Sequence, residues 1–194
     1  MSALGAASNN PTEPLILVDG QDREIGYSSK EECHRGAGIL HRAFSIFLFN
    51  REGQLLLQQR SGEKPLWPLY WSNSCCSHPR RGEPVEVAAR RRVREELNLS
   101  CQPAFLYKFE YRAEFDDIGT EHELCWVYAA WIDGMPVANA GEVADWRFVS
   151  PAALTADIAA APERYTPWLK LEWAEITARH LDRMLAAVPT NSRD

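Results

Sequence analysis

The sequence lacks the features of three classes of protein. It has no apolar run near the roughly 18 residues that a membrane-spanning helix needs, so we expect no membrane insertion. Residues 1–14 contain no basic segment followed by an apolar stretch, so we expect no secretory signal. Internal repeats and low-complexity blocks are also absent, which argues against a repeat architecture.

The sequence has fewer positively charged than negatively charged residues. The chain has 21 lysines and arginines against 27 aspartates and glutamates, which gives a net charge of −6. A general nucleic-acid binder usually carries a basic surface, so we expect no nucleic-acid partner. An anionic small molecule is not excluded, because a local basic cluster can bind one inside an acidic protein.

The five cysteines do not form a disulfide pattern. Their number is odd, and no Cys-x-x-Cys spacing indicates redox chemistry. Without a secretory context, they are typical of reduced thiols, and we expect a cytoplasmic location.

The composition is that of an ordinary globular protein, with 45% hydrophobic and 25% charged residues over 194 positions. This length favours one domain with a core of its own. We expect a flexible tail over residues 1–14, the domain over 15–187 and a second tail over 188–194. Strands on both sides of a central helix, with further helices at the end, predict an α/β or α+β fold.

Hydrophobic patterns and turn residues predict the individual elements. The segments 43–49 and 54–59 flank a turn and predict a hairpin. Residues 71–83 are expected to be irregular. The spacing of residues 28–31 indicates a capping box in which Ser28 is the N-cap residue of a short helix. Further strands are expected at 15–18, 105–113, 123–132 and 146–149, and helices at 84–97, 151–160 and 164–187. Pro167 should interrupt the last of these helices early.

The helix at 84–97 places charge beside apolar residues. Arg92 and Glu96 lie four residues apart on the stripe that also carries Ala89. Taken alone, such a pair is most often a solvated surface pair. The surrounding pattern, however, resembles a degenerate Nudix box, in which a loop and a helix hold carboxylates toward Mg²⁺ on a diphosphate. The matching residues are Glu83, Arg91, Val93, Glu95, Glu96 and Leu99, whereas Ser77, Arg92 and Asn98 depart from the box.

The stretch WSNSCCSHP at residues 71–79 directly precedes this helix. Together the two segments resemble type I isopentenyl-diphosphate isomerase, a branch of the Nudix superfamily. The resemblance extends over roughly residues 15–175. It includes CH at 33–34, GILH at 38–41, LLQQR at 56–60, YRA at 111–113, EHE at 121–123 and TPW at 166–168. It implies a Nudix-like mixed sheet sandwiched between helices.

The resemblance implies that the protein moves a carbon–carbon double bond, converting isopentenyl diphosphate into dimethylallyl diphosphate. It assigns catalysis to Cys76 on one side of the substrate and to Glu123 with Tyr111 on the other, and leaves open which side donates the proton. His78 and the basic residues after it are surroundings that favour a Cys76 thiolate. Cys75 should point the opposite way and pack in the core.

The resemblance also implies two metal sites. His34, His41, His78, Glu121 and Glu123 would hold one divalent metal, and this mixture of nitrogen and oxygen ligands suits Mn²⁺, Zn²⁺ or Mg²⁺. Glu96 would hold a Mg²⁺ ion that bridges to the diphosphate. His122 should point to the other face of its strand.

For the substrate, the resemblance implies anion contacts from Lys30, Arg60, Lys64 and Arg92, and an aromatic contact from Trp168. It is compatible with a monomer or a weak homodimer. Two alternatives remain at this stage: a Nudix hydrolase of a diphosphate compound, which Arg92 in place of the box glutamate disfavours, and a non-enzymatic module with structural zinc. Structural zinc prefers a closed set of Cys and His ligands, and the cysteines here lack the spacing for it.

Overall fold

A computed structural model of the chain describes residues 13–186. The proposed tails lie outside this range, apart from Glu13 and Pro14. Within it the chain forms nine strands and five α-helices. The strands are β1 Leu15–Val18, β2 Glu24–Ser28, β3 His41–Phe49, β4 Leu55–Arg60, β5 Trp71–Ser72, β6 Cys75–Ser77, β7 Ala104–Phe115, β8 Gly119–Trp131 and β9 Val143–Val149. The helices are α1 Lys30–Cys33, α2 Val85–Leu97, α3 Pro151–Ala160, α4 Pro167–Arg179 and α5 Leu181–Ala186.

Strand β3 is the centre of the sheet. It runs parallel to β8 along its whole length, from the pair His41 and Glu123 to the pair Phe49 and Trp131. It pairs antiparallel with β1 and β6, while β7 adds to the far side of β8. Strands β4, β5 and β9 form the other part of the sheet, joined to β3 at its end. The sheet is therefore mixed.

Helices cover both faces of the sheet because successive residues of β3 point to opposite sides. Phe44 belongs to the buried cluster that contains Val93 of α2. Phe47 belongs to the opposite cluster, where it stacks on Trp173 of α4 at a centroid distance of 6.3 Å. The predicted α+β class, with one mixed sheet between helices in a single domain, is confirmed. No helix among residues 13–186 combines the length and apolar character of a membrane span.

The predicted hairpin is wrong in one respect. The turn forms, with Asn50 and Gln54 hydrogen-bonded to each other, but Phe49 and Leu55 are the one ladder pair between β3 and β4. Both strands are apolar enough to be buried in the middle of the sheet, and each therefore pairs with distant strands: β3 with β8, and β4 with β9. A hairpin signal predicts the turn, whereas the ladder depends on which partners bury more apolar surface.

Three further expectations need correction, and one strand has no counterpart among the expected elements. Part of the segment 71–83 is ordered as β5 and β6, which pair with β4 and β3. Ser29, and not Ser28, caps α1 by accepting a hydrogen bond from the Glu32 amide. Strand β2 was not predicted, because its side chains are largely exposed and lack a buried alternating pattern. The early interruption expected at Pro167 is present, since a 3₁₀ turn at Pro162–Arg164 precedes α4, but the rest of the expected helix is divided again between α4 and α5.

Candidate active site

Two strands and two loops bring the predicted metal ligands together, and a third strand adds Tyr111. The parallel register of β3 and β8 places His41 beside Glu123, and the antiparallel register of β7 and β8 places Tyr111 on the other side of Glu123. His78 directly follows β6, and His34 directly follows α1. Residues that are distant in sequence thus converge at one end of the sheet.

The three imidazoles and Glu121 form a compact group. One ligand atom from each of His34, His41, His78 and Glu121 lies within 4.8 Å of the others. Glu123 adjoins this group, with its Oε1 atom 3.0 Å from His78 Nε2 and 3.7 Å from His41 Nε2. All five predicted ligands therefore lie together.

The donor atoms of this group suit a divalent metal. His41 Nδ1 donates to the Ile39 carbonyl at 2.7 Å, so its Nε2 atom faces the other ligands. His34 Nε2 and Glu121 Oε2 are buried and 2.9 Å apart, yet neither atom has a hydrogen-bond partner among the described residues. Buried polar atoms without partners are expected where a metal is their common partner.

Electrostatics favour the protonation states in which His78 and Glu123 can bind a metal. Burial lowers the pKa of His78 to about 4, so its imidazole is neutral at pH 7. Burial alone would raise the pKa of Glu123, but hydrogen bonds to His41 and His78 outweigh it and hold the pKa well below its usual value. A neutral imidazole and an ionised carboxylate are the forms that bind metals.

The predicted catalytic residues line a small cavity next to this group. Cys76, Tyr111, Glu123 and Trp168 are all on its wall. The Tyr111 hydroxyl donates to Glu123 Oε2 at 2.7 Å. Trp168 is fixed by its indole N–H, which lies 3.0 Å from the Ser72 hydroxyl oxygen.

The expected Cys76 thiolate is wrong for this structure. Burial raises the pKa of the Cys76 thiol to about 12, and the nearby Arg60 guanidinium opposes this shift only in part. The basic residues after His78 do not reverse the effect: Arg80 pairs with Glu13, and the Arg81 guanidinium lies over the Tyr27 ring. Cys76 is therefore a neutral thiol that holds a proton.

Predicted anion contacts surround the entrance. Lys30 and Lys64 line both the cavity and the adjoining cleft, Arg60 lines the cavity, and Arg92 lines the cleft. Arg60 is held by the backbone carbonyls of Leu66 and Trp67, at 2.8 and 3.0 Å. These contacts fix its guanidinium 5.1 Å from the Trp168 ring centre.

Arg92 is not the solvated surface residue that an isolated helix pair would give. It is 1% exposed and Glu96 is 2% exposed, with Arg92 Nη2 and Glu96 Oε1 2.6 Å apart. Glu95 and Glu142 also bind its guanidinium, at 2.8 and 2.9 Å. Burial alone would lower the pKa of Arg92, but Glu96 and Glu142 raise it, so the charge is retained.

Two buried carboxylates, Glu142 and Glu172, have no counterpart among the residues that the sequence predicts for the site. Glu142 precedes β9 and pairs with both Lys64 and Arg92. Glu172 on α4 is fully buried, and its Oε1 atom accepts a weak hydrogen bond from the Cys125 thiol at 3.6 Å. Neither belongs to a spaced motif, and a lone acidic residue is normally exposed, so the sequence carries no signal for either.

Comparison with known proteins agrees with this fold and site. The NUDIX domain family matches residues 39–169. A crystal structure of a Deinococcus radiodurans protein superimposes with a TM-score of 0.63 at 29% identity, over 76% of this chain and 90% of the other. The MutT protein of Methanosarcina mazei shares the fold alone, with a TM-score of 0.57 at 15% identity, over 75% of this chain and 94% of the other. The fold and site thus define a NUDIX domain protein.

Relatives of known name narrow the class further. Isopentenyl-diphosphate Delta-isomerase 1 of Photorhabdus laumondii is 42% identical over 174 residues, which are 89% of this chain and 99% of the relative. Isopentenyl-diphosphate Delta-isomerase of Nocardia farcinica is 45% identical over 157 residues, which are 80% of this chain and 90% of the relative. The chain belongs to the isopentenyl-diphosphate Delta-isomerase family and is an enzyme.

Proposed function

We propose that the protein interconverts isopentenyl diphosphate and dimethylallyl diphosphate by adding a proton to one alkene carbon and removing a proton from another. The observation that carries this proposal is the shared cavity of Cys76, Tyr111, Glu123 and Trp168, which opens onto a cleft containing Lys30, Lys64 and Arg92. A small apolar group fits the cavity, and a diphosphate fits the cationic cleft. The names of the relatives support the same reaction.

The protonation states suit acid–base chemistry on a weakly basic alkene. Cys76 Sγ holds a proton, and Glu123 Oε2 is an ionised oxygen that accepts a hydrogen bond from Tyr111. One group can therefore give a proton and the other can take one. A turnover exchanges their protonation states, so the exchanged pair is ready for the reverse direction.

Trp168 is proposed to stabilise the positive charge that develops at the tertiary carbon between the two proton transfers. An aromatic face contributes about 0.5–2 kcal/mol to a nearby cation, and more when the site is dry. The indole is held in place by Ser72 and by edge contact with Trp67, at a centroid distance of 5.2 Å. Its orientation is therefore set before the substrate binds.

Two divalent metals complete the proposed site. His34, His41, His78, Glu121 and Glu123 would hold one, which would be Mn²⁺, Zn²⁺ or Mg²⁺ and would alter the acidity of Glu123. Glu96 would hold Mg²⁺ against the diphosphate. We further propose that the protein acts in isoprenoid biosynthesis in the cytoplasm, as a monomer or weak homodimer.

Incubation with isopentenyl diphosphate, Mg²⁺ and Mn²⁺ in D₂O tests the reaction. We expect dimethylallyl diphosphate with deuterium in a methyl group, measured by NMR, because the proton added to the terminal carbon comes from an exchangeable group. Glu123→Gln keeps the shape of the side chain and should give no product. Release of phosphate or pyrophosphate without dimethylallyl diphosphate would instead indicate a hydrolase.

A further inference from the structure

We propose that Glu142 is a positioning residue that holds Lys64 and Arg92 in place for the diphosphate. Its two oxygens bind different cations: Oε2 pairs with Lys64 Nζ, and Oε1 is 2.9 Å from Arg92 Nη2. Both cations line the cleft next to the catalytic cavity. The inference rests on the proposed function, because it takes Lys64 and Arg92 as diphosphate contacts.

The backbone around Glu142 is fixed on both sides. Its N–H donates to the Asn139 carbonyl at 2.9 Å, and its carbonyl accepts from the Ser61 amide at 3.0 Å. The Asn139 N–H in turn donates to the carbonyl of Glu96, at the end of α2, at 2.8 Å. Glu142 thus joins the loop that carries Lys64 to the helix that carries Arg92.

The two cations depend on Glu142 to different degrees. Arg92 retains Glu95 and Glu96 as partners if Glu142 is lost. Lys64 would have no carboxylate partner left, since Glu142 is the one carboxylate paired with it within residues 13–186. Removal of the carboxylate would leave the long lysine side chain without a fixed direction and would shift Arg92 toward the other two carboxylates.

A carboxylate in this position also has an opposing effect, since it competes with the diphosphate for the same cations. The two effects predict opposite changes in substrate affinity when Glu142 is replaced. Glu142 is only 5% exposed, and its loss leaves Arg92 bound by two other carboxylates. We therefore expect positioning to outweigh competition.

The test is the KM of Glu142→Gln for isopentenyl diphosphate. We expect KM to rise at least tenfold while kcat stays within threefold, because the variant changes the diphosphate contacts and leaves Cys76 and Glu123 untouched. Glu142→Asp keeps the charge but shortens the reach, and should give an intermediate KM. In a Lys64→Met background, Glu142→Gln should raise KM by clearly less than it does in the wild type.

Asp22→Asn is the matched control. The Asp22 side chain is also 5% exposed and bridges an arginine and a lysine, Arg42 and Lys108, but lies outside the cavity and the cleft. This variant should lose thermal stability without a change in KM. A similar KM change in both variants would mean that Glu142 acts only through general stability, and would overturn the proposal.

Calorimetric titration with inorganic pyrophosphate and Mg²⁺ separates this proposal from the proposed function. Pyrophosphate affinity should fall at least tenfold in Glu142→Gln, whether or not the wild type isomerises isopentenyl diphosphate. An inactive wild type with this loss of affinity would overturn the isomerase proposal and support the role of Glu142. Unchanged or tighter pyrophosphate binding in Glu142→Gln would overturn the role of Glu142, whatever the activity.

Discussion

Replacement of Glu172 by glutamine should remove a loss of folding stability that the wild type undergoes as the pH rises toward neutral. Glu172 is fully buried on α4, and its Oε2 atom has no hydrogen-bond partner among the described residues. Burial raises the pKa of its carboxyl to about 8, against weak opposition from Ser45 and Cys125. Folding at pH 7 therefore keeps a proton on a group that is ionised in the unfolded chain.

The magnitude follows from the two pKa values. The unfolded carboxyl loses its proton near its ordinary pKa of 4.5, whereas the folded one keeps it to about 8. Between these values the unfolded state binds fewer protons, so the free energy of unfolding falls by about 1.4 kcal/mol for each pH unit. The stability associated with Glu172 is fully present below pH 4.5 and has dropped by about 3 kcal/mol at pH 7.

Glutamine has almost the same volume and does not titrate, so it removes this pH dependence. Its amide leaves a buried donor without a partner, which costs about 1–3 kcal/mol at every pH. The difference in the free energy of unfolding between the variant and the wild type therefore depends on two opposed terms, the loss of the carboxyl titration and the cost of the buried amide donor. The slope of that difference with pH depends on the carboxyl alone.

Urea unfolding followed by tryptophan fluorescence at several pH values between 5 and 8 measures this slope. Relative to the wild type, Glu172→Gln should gain about 1 kcal/mol or more of stability per pH unit across this range. Glu163→Gln makes the same change at an exposed position and should follow the wild type. Parallel stability curves for Glu172→Gln and the wild type would refute the reasoning, since they would show that the carboxyl titrates alike in the folded and unfolded states.

Three further changes test the proposed site. Cys76→Ala should abolish isomerisation with the fold intact by circular dichroism, because a methyl group carries no proton, while Cys75→Ala should keep most of the activity; the reverse result would mean that the two thiols exchange roles. Chelation should inactivate the enzyme reversibly, and His34→Ala or His41→Ala should lower the bound metal measured by elemental analysis; full occupancy in both variants would remove these histidines from the metal site. Arg92→Glu should weaken isopentenyl diphosphate binding, since a unit charge pair near 4 Å contributes on the order of 4 kcal/mol before Mg²⁺ and solvent reduce it; unchanged or tighter binding would contradict its role.

Local sequence signals predicted the elements that position the site. The helix at 84–97 and the strand at 15–18 were placed within one residue of their observed bounds, because periodicity and turn residues act over short distances. The five predicted metal ligands also lie together. Their convergence could be expected only through the family resemblance, since the sequence alone does not state that β3 and β8 are parallel neighbours.

The rest depends on tertiary surroundings that no local pattern encodes. The state of Cys76 illustrates this: its basic neighbours in sequence favour a thiolate, but burial decides the pKa of the thiol. Glu142 is a second case, because its role depends on partners that precede it by 50 and 78 positions in the chain. Composition and spacing cannot locate such contacts before the fold is known.

The most informative departure from the Nudix box is Arg92, and the structure gives it a physical meaning. Three carboxylates, Glu95, Glu96 and Glu142, meet one guanidinium that is nearly inaccessible to solvent. A glutamate at the same position would bring a fourth carboxylate into this group, and only bound cations could balance the repulsion. The arginine supplies a permanent positive charge instead, and we propose that it faces the diphosphate as a fixed hydrogen-bond donor. On this proposal, the fixed cation would anchor the diphosphate without generating a nucleophile for its hydrolysis, as the proposed isomerisation requires.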